Sequence, residues 1–453
     1  MFTVSDSYAD GTFAERRRVS LSRFRPLLLF LLILFLISTY LHVPLAVAGS
    51  FFIPAFFTTL FLLPMLALLY YNRMHRYELV LLGQVLFLLL LTALLSPGFE
   101  YIDQKLLGLL QTAFSLIGGV LLVKLLGDLP RRWVSRMLLA LWIILILGAF
   151  LESQGVLRAA SDSFREAAYS GTYGESGIYV YEADRRDVGI TGFPRPKLFT
   201  SEPSYLAIGF FVFMNSWLAL AYSSRALVAA CLGTLAMFAL NGSPFLVLSL
   251  ASSLVVMLFN ETRISYFMFG LSTVWIMVLC LTYIQPDLVS NVGSRISETY
   301  EDVGTLSITS SNQRLFWPYI TAVDVLRHSP LFGVGISGKE VIERYASLPY
   351  SWPLILGHNC FAWLFVYTGF VGSLLFIKAF RDYLRRMKVS HVIPLVFLLF
   401  ALANMAGGFE TARFWGYAFL FIGVFKKASE THYPTADSVS NKVDRPMQLD
   451  RAV

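Results

Sequence analysis

Apolar runs near the length needed to cross the hydrocarbon of a bilayer recur from Leu27 almost to the end of the chain, and this constrains the fold more than any other feature. They fall at 27–41, 50–70, 79–95, 106–126, 134–151, 204–222, 226–240, 244–259, 265–284, 360–380, 392–405 and 414–425. Inside a bilayer every backbone N–H and C=O must be satisfied within the protein, so runs of this length predict helices. Hydrophobic residues make up 56% of the sequence and charged residues 14%, so one helical body is expected and a string of soluble domains is not. The prediction is an all-α polytopic membrane protein of about 12 transmembrane helices.

Loop charge provides a separate reading of the same pattern, because cytoplasmic loops carry the excess of Lys and Arg. Arg16, Arg17, Arg18, Arg23 and Arg25 precede the first run, Arg73 and Arg76 follow the second, and Lys124, Arg131 and Arg132 follow the fourth. Arg225, Arg263, the group from Lys378 to Lys388, and Lys426 with Lys427 fall on the same side. Short loops such as 96–103 and 241–243 lack basic residues and fall on the other side. Both termini are therefore expected in the cytoplasm, with two long loops, 152–203 and 285–357, outside it in the periplasm. The division is a cytoplasmic tail over 1–26, a membrane domain over 27–427 that includes both loops, and a disordered cytoplasmic tail over 428–453.

The formal net charge of +7 belongs to this topology signal, so no nucleic-acid partner is expected. The first run carries no cleavage site and is expected to be retained as a helix. Cys231, Cys280 and Cys360 lie in or at the head of apolar runs without metal-ligand spacing and read as small hydrophobes. There is no Asp-x-Asp pair, P-loop or dinucleotide fingerprint, so neither a nucleotide substrate, a metal nor a cofactor is expected.

Candidate chemistry gathers at the outer ends of the helices. Arg195 and Lys197 precede Ser201-Glu202-Pro203-Ser204-Tyr205 at the mouth of the sixth run, where two cations can clamp an anionic headgroup. Pro203 suits the first turn of a helix, and Ser-Glu-Pro also reads simply as a helix start. In the second loop, the stretch from Leu315 to Leu326 has helical apolar spacing, with Arg314 at its head, and predicts a short amphipathic helix against the membrane surface. His358 stands at the mouth of the tenth run, where a neutral imidazole can accept a proton. Asn359 can orient it or bind a sugar hydroxyl, and both residues can equally serve to satisfy backbone groups there. Glu410 and Arg413 lie before the last run, as a charged pocket or a local ion pair.

At these residues the chain resembles the bacterial O-antigen polymerase and O-antigen ligase superfamily. The resemblance covers most of the chain and rests on hydropathy, on the two long outer loops and on three segments: Phe199 to Ala207, Arg314 through Ser329-Pro330-Leu331-Phe332-Gly333-Val334-Gly335, and Gly357-His358-Asn359. It implies transfer of glycans from a polyprenyl-pyrophosphate carrier outside the bacterial cytoplasmic (inner) membrane, without a metal or other cofactor. His358 would be the general base or the positioner of the acceptor hydroxyl, with Glu202 assisting. Arg195 and Arg314 would bind the donor pyrophosphate, with Lys197, Asn359, Tyr205 and Arg413 as further binding residues. The Glu-Pro-Ser-like segment favours the polymerase branch, whose donor and acceptor are both undecaprenyl-pyrophosphate-linked oligosaccharides, working in the bilayer beside a chain-length regulator and a flippase. One departure is that the acidic helix position downstream of the His-Asn pair is here Tyr367 or Thr368. The alternatives are a ligase and a lipid-linked glycan transporter; the lack of a detectable internal repeat, and charges gathered at helix ends, weigh against the transporter.

Overall fold

The computed structural model describes residues 24–47, 51–53, 55, 57–169, 188, 194–221, 223–243, 245–260, 316–348, 359–389, 391–404 and 408–432. The run at 265–284, Arg314, His358 and most of both tails lie outside the described residues. The described helices are α1 (Arg25–Leu41), α2 (Leu63–Tyr70), α3 (Arg76–Leu95), α4 (Ile102–Asp128), α5 (Arg131–Ser153), α6 (Arg158–Tyr169), α7 (Pro203–Ala221) and α8 (Ser224–Asn241). They continue with α9 (Phe245–Asn260), α10 (Trp317–His328), α11 (Lys339–Tyr345), α12 (Cys360–Arg386), α13 (Val392–Ala403) and α14 (Ala412–His432).

The run at 50–70 needs correction, because it is not one helix. Strand β2 (Phe51–Ile53) pairs antiparallel with β1 (Leu45–Val47), Leu45 opposite Ile53, and a π-helical stretch, Thr58–Leu62, then leads into α2. Phe and Ile are as apolar in a strand as in a helix, so hydropathy alone does not separate the two. The otherwise helical fold thus carries one small hairpin among the described residues.

Among the described residues, five stretches are long and apolar enough to cross a membrane: α3, Phe99–Asp128 (which contains α4), α5, α7 and α12. Shorter apolar helices include α1, α8 and α13. Peripheral helices turn large apolar side chains outward, among them Leu68, Phe87, Ile144, Leu147, Leu374 and Ile393, a surface suited to lipid. At the centre, every side chain of α7 from Leu206 to Leu220 is buried, as is every side chain of α14 from Arg413 to Phe425. A helix apolar on all faces belongs inside a bundle. The two pack on each other, with α4 against α14 and α5 against α7.

Helix ends sort into two groups. At one end, Glu78 and Lys124 form a buried ion pair at 2.9 Å and Arg73 meets Asp128 at 3.6 Å. Lys427 Nζ donates to the carbonyls of Leu126 and Gly127, and Arg131 donates to that of Leu220. These carbonyls at the C-terminal ends of α4 and α7 have no partner within their helix, and a cation there also offsets the helix dipole. The opposite end, where the described parts of the two long loops lie, is the loop end.

A described segment of the second loop enters the bundle. Helix α12 is interrupted at Gly369 (φ 65°, ψ −170°), and residues 330–335 dock at the break. Val334 N–H donates to Val366 C=O at 2.9 Å, Gly335 N–H to Tyr367 C=O at 3.0 Å, and Phe370 N–H to Pro330 C=O at 2.8 Å. Irregular backbone among membrane helices persists only where protein satisfies it in this way. Gly333 (φ 63°) lies so close that a Cβ there would be 2.3 Å from Val366 O and 2.7 Å from Gly369 N. Gly333→Ala is therefore expected to cost about 1–3 kcal/mol from the left-handed backbone alone. Thermal unfolding in detergent measures it, and an unchanged midpoint would contradict this docking.

Helix α10 confirms a helical segment where the spacing predicts one. It packs on α12, burying Trp317, Thr321, Ala322 and Val325 and leaving Ile320 and Val323 exposed.

Candidate functional site

The loop leading into α7 is built around a carboxylate. Glu152, in the last turn of α5 and 4% exposed, accepts the backbone N–H groups of Lys197 (3.1 Å) and Leu198 (2.5 Å) through Oε2. Leu198 and Phe199 both adopt positive φ (42° and 65°), a conformation unfavourable for side chains of this size. Several groups hold them there. The Tyr40 hydroxyl donates to Leu198 C=O at 3.1 Å, the Tyr169 hydroxyl reaches Phe199 C=O at 3.2 Å, and Phe199 N–H donates to Ser161 Oγ at 3.0 Å. The Asn241 amide donates toward Pro196 C=O and Pro203 C=O, pinning both ends of the loop to α8. Strain sustained by this many partners is characteristic of functional loops. On it, Lys197 is buried and Arg195 half-buried.

Glu202 sits just before α7, where its Oε2 accepts from Ser204 Oγ at 2.9 Å and its carbonyl accepts Tyr205 N–H. This is the geometry of a helix start, yet it also fixes the next residue. The Tyr205 ring lies 3.7 Å from the Arg413 guanidinium carbon, a close cation–π contact. Arg413 is 4% exposed and its Nη2 reaches the carbonyls of Tyr40 (3.3 Å) and Leu41 (3.5 Å), the last of α1, while its Nε has no hydrogen-bond partner among the described residues. Two candidates from distant parts of the sequence, Tyr205 and Arg413, thus meet beside the first helix. The pKa of His42, which follows α1, is pushed well below the usual imidazole range by burial and then by the Arg413 charge.

Glu410 and Arg413 form no ion pair with each other, although sequence proximity allowed one. Glu410 Oε1 instead accepts from Ser337 Oγ at 2.7 Å, in the loop that docks against α12, and the Tyr367 hydroxyl lies nearby. Burial raises the Glu410 pKa, against the pull of Ser337 and Tyr367. A carboxyl raised on folding contributes stability that is complete below its unfolded value and is lost as pH rises through its folded value. Glu410→Gln is expected to flatten the fall in unfolding midpoint as pH is raised from the acid side; a variant with the wild-type slope would contradict this.

Asn359 belongs to a second group. It caps α12, Oδ1 accepting Ala362 N–H at 2.9 Å, and its Nδ2 donates to Asn404 Oδ1 at 2.9 Å. The same Asn404 oxygen accepts the Tyr319 hydroxyl of α10 at 2.6 Å. Neither Asn404 nor Glu152 stands out in the sequence. Each is a polar residue closing an apolar helix at the loop end, which is the only signal they give. Among the described residues no group of three or more His, Cys, Asp or Glu side chains is placed to hold a metal ion.

Residues 209–377 match the family model for O-antigen ligase. No curated protein matches the chain. The matched stretch includes the loop docked at the α12 break and Asn359, while the Arg195 to Tyr205 loop precedes it and Arg413 follows it. This match supports the membership of this helical membrane protein in the O-antigen polymerase and ligase superfamily, whose members are glycosyltransferase-like enzymes.

Proposed function

We propose that the protein is a polysaccharide polymerase that joins polyprenyl-pyrophosphate-linked oligosaccharide repeat units, as donor and acceptor, on the periplasmic face of the bacterial inner membrane. The observation that carries this reading is the strained, buttressed loop bearing Arg195 and Lys197, which closes onto Tyr205 and Arg413 at the end of the bundle opposite the basic cluster. The reading takes about twelve spans, both termini in the cytoplasm, and the division into tail, membrane domain and tail described for the sequence.

Pyrophosphate is a good leaving group, so the main demand on the protein is to stabilise the charge that grows on it as the glycosidic bond breaks. Arg195 and Arg314 hold that group, with Lys197 adding positive charge. Fixed cations in a dry site need no reorganisation as the bond breaks. His358, assisted by Glu202, takes the proton from the attacking sugar hydroxyl, and Asn359 binds or orients beside it. The product is a longer chain on one carrier and a free carrier pyrophosphate.

A ligase that moves finished polymer to another acceptor uses the same donor chemistry, and the family match is compatible with either branch. A strain lacking the protein separates the two readings. Accumulation of single lipid-linked repeat units supports the polymerase, and accumulation of long lipid-linked polymer overturns it in favour of the ligase.

A further inference from the structure

Asn404 has two hydrogen-bonding ends with different tasks. Its Nδ2 donates to Phe400 C=O at 2.8 Å, one turn back, and closes its own helix, α13. Its Oδ1 points the other way and collects two donors, the Tyr319 hydroxyl from α10 and the Asn359 amide from the head of α12. Three helices are thus tied through one oxygen. In the sequence, Tyr319 lies five residues after Arg314, and Asn359 immediately follows His358.

We infer that Asn404 is a positioning residue for glycan transfer, whose side-chain oxygen fixes the head of α12 relative to α10. This rests on the glycan-transfer reading above. A capping residue would work through Nδ2 alone. Two short hydrogen bonds converging on Oδ1, at 2.6 and 2.9 Å, are not required to end α13. They are what a site assembled from two loops requires, because misplacing reacting groups by about 1 Å costs on the order of 10²-fold in rate.

The two tasks separate by substitution. Asn404→Asp keeps an acceptor oxygen at the Oδ1 position and loses the donor to Phe400, whereas Asn404→Leu loses both. Purified full-length protein in detergent is assayed for extension of lipid-linked repeat units. The expected result is a fall in kcat of about 10- to 100-fold for Asn404→Leu with unchanged KM for the donor, and recovery of most of it in Asn404→Asp. Wild-type kcat in Asn404→Leu, or equal losses in both variants, would overturn the inference. Thermal unfolding of the Tyr319→Phe, Asn404→Leu and double variants tests the shared oxygen independently of activity. A double variant no less stable than Asn404→Leu alone supports it, and strictly additive losses overturn it. Failure of the wild type to extend repeat units counts against the polymerase reading instead, and leaves the unfolding cycle to decide the role of the oxygen.

Discussion

Glu152→Ala is expected to lower stability by about 2–4 kcal/mol and to remove glycan extension with it. The loss follows from what the carboxylate holds. Two backbone N–H groups, of Lys197 and Leu198, would be left buried without an acceptor, at the point where Leu198 and Phe199 turn through unfavourable backbone angles. Glu152→Gln keeps an amide oxygen in the same place and is expected to retain most of the stability. Thermal unfolding in detergent distinguishes the outcomes, and an alanine variant that unfolds with the wild type would show that Glu152 does not hold the loop.

His358→Ala is expected to cut extension by about 10²- to 10⁴-fold, the usual contribution of a general base, while the protein remains folded in the membrane. The contrast with Glu152 is informative. Removing a base affects the chemical step and should spare the unfolding midpoint, whereas removing a buried acceptor affects both. Residual extension above one tenth of wild type in His358→Ala would rule out this residue as the base.

The helices were legible because the bilayer demands long apolar segments, and each described run is helical over all or most of its length. What the pattern could not give is backbone conformation within an apolar stretch. The hairpin at Phe51–Ile53 and the interruption of α12 at Gly369 both lie in sequence that reads as continuous helix. The site was legible residue by residue and not as an assembly. Arg195, Lys197, Glu202 and Tyr205 share one segment, so their proximity follows from the sequence, but the contact of Tyr205 with Arg413 depends on how α7 and α14 pack. Glu410 and Arg413 look like partners three residues apart, yet Arg413 turns to the end of α1 and Glu410 to Ser337. Glu152 reads as the polar end of a helix, and its task appears only once the chain returns to it at Lys197, 45 residues later.

The most direct test of the central claim is extension of purified lipid-linked repeat units by the detergent-solubilised protein, with no nucleotide or metal added, beside Arg195→Ala, Arg314→Ala and His358→Ala. The account predicts a ladder of products with wild type and none with the three variants. Well-folded wild type that produces no ladder, or variants that match it, would contradict the account.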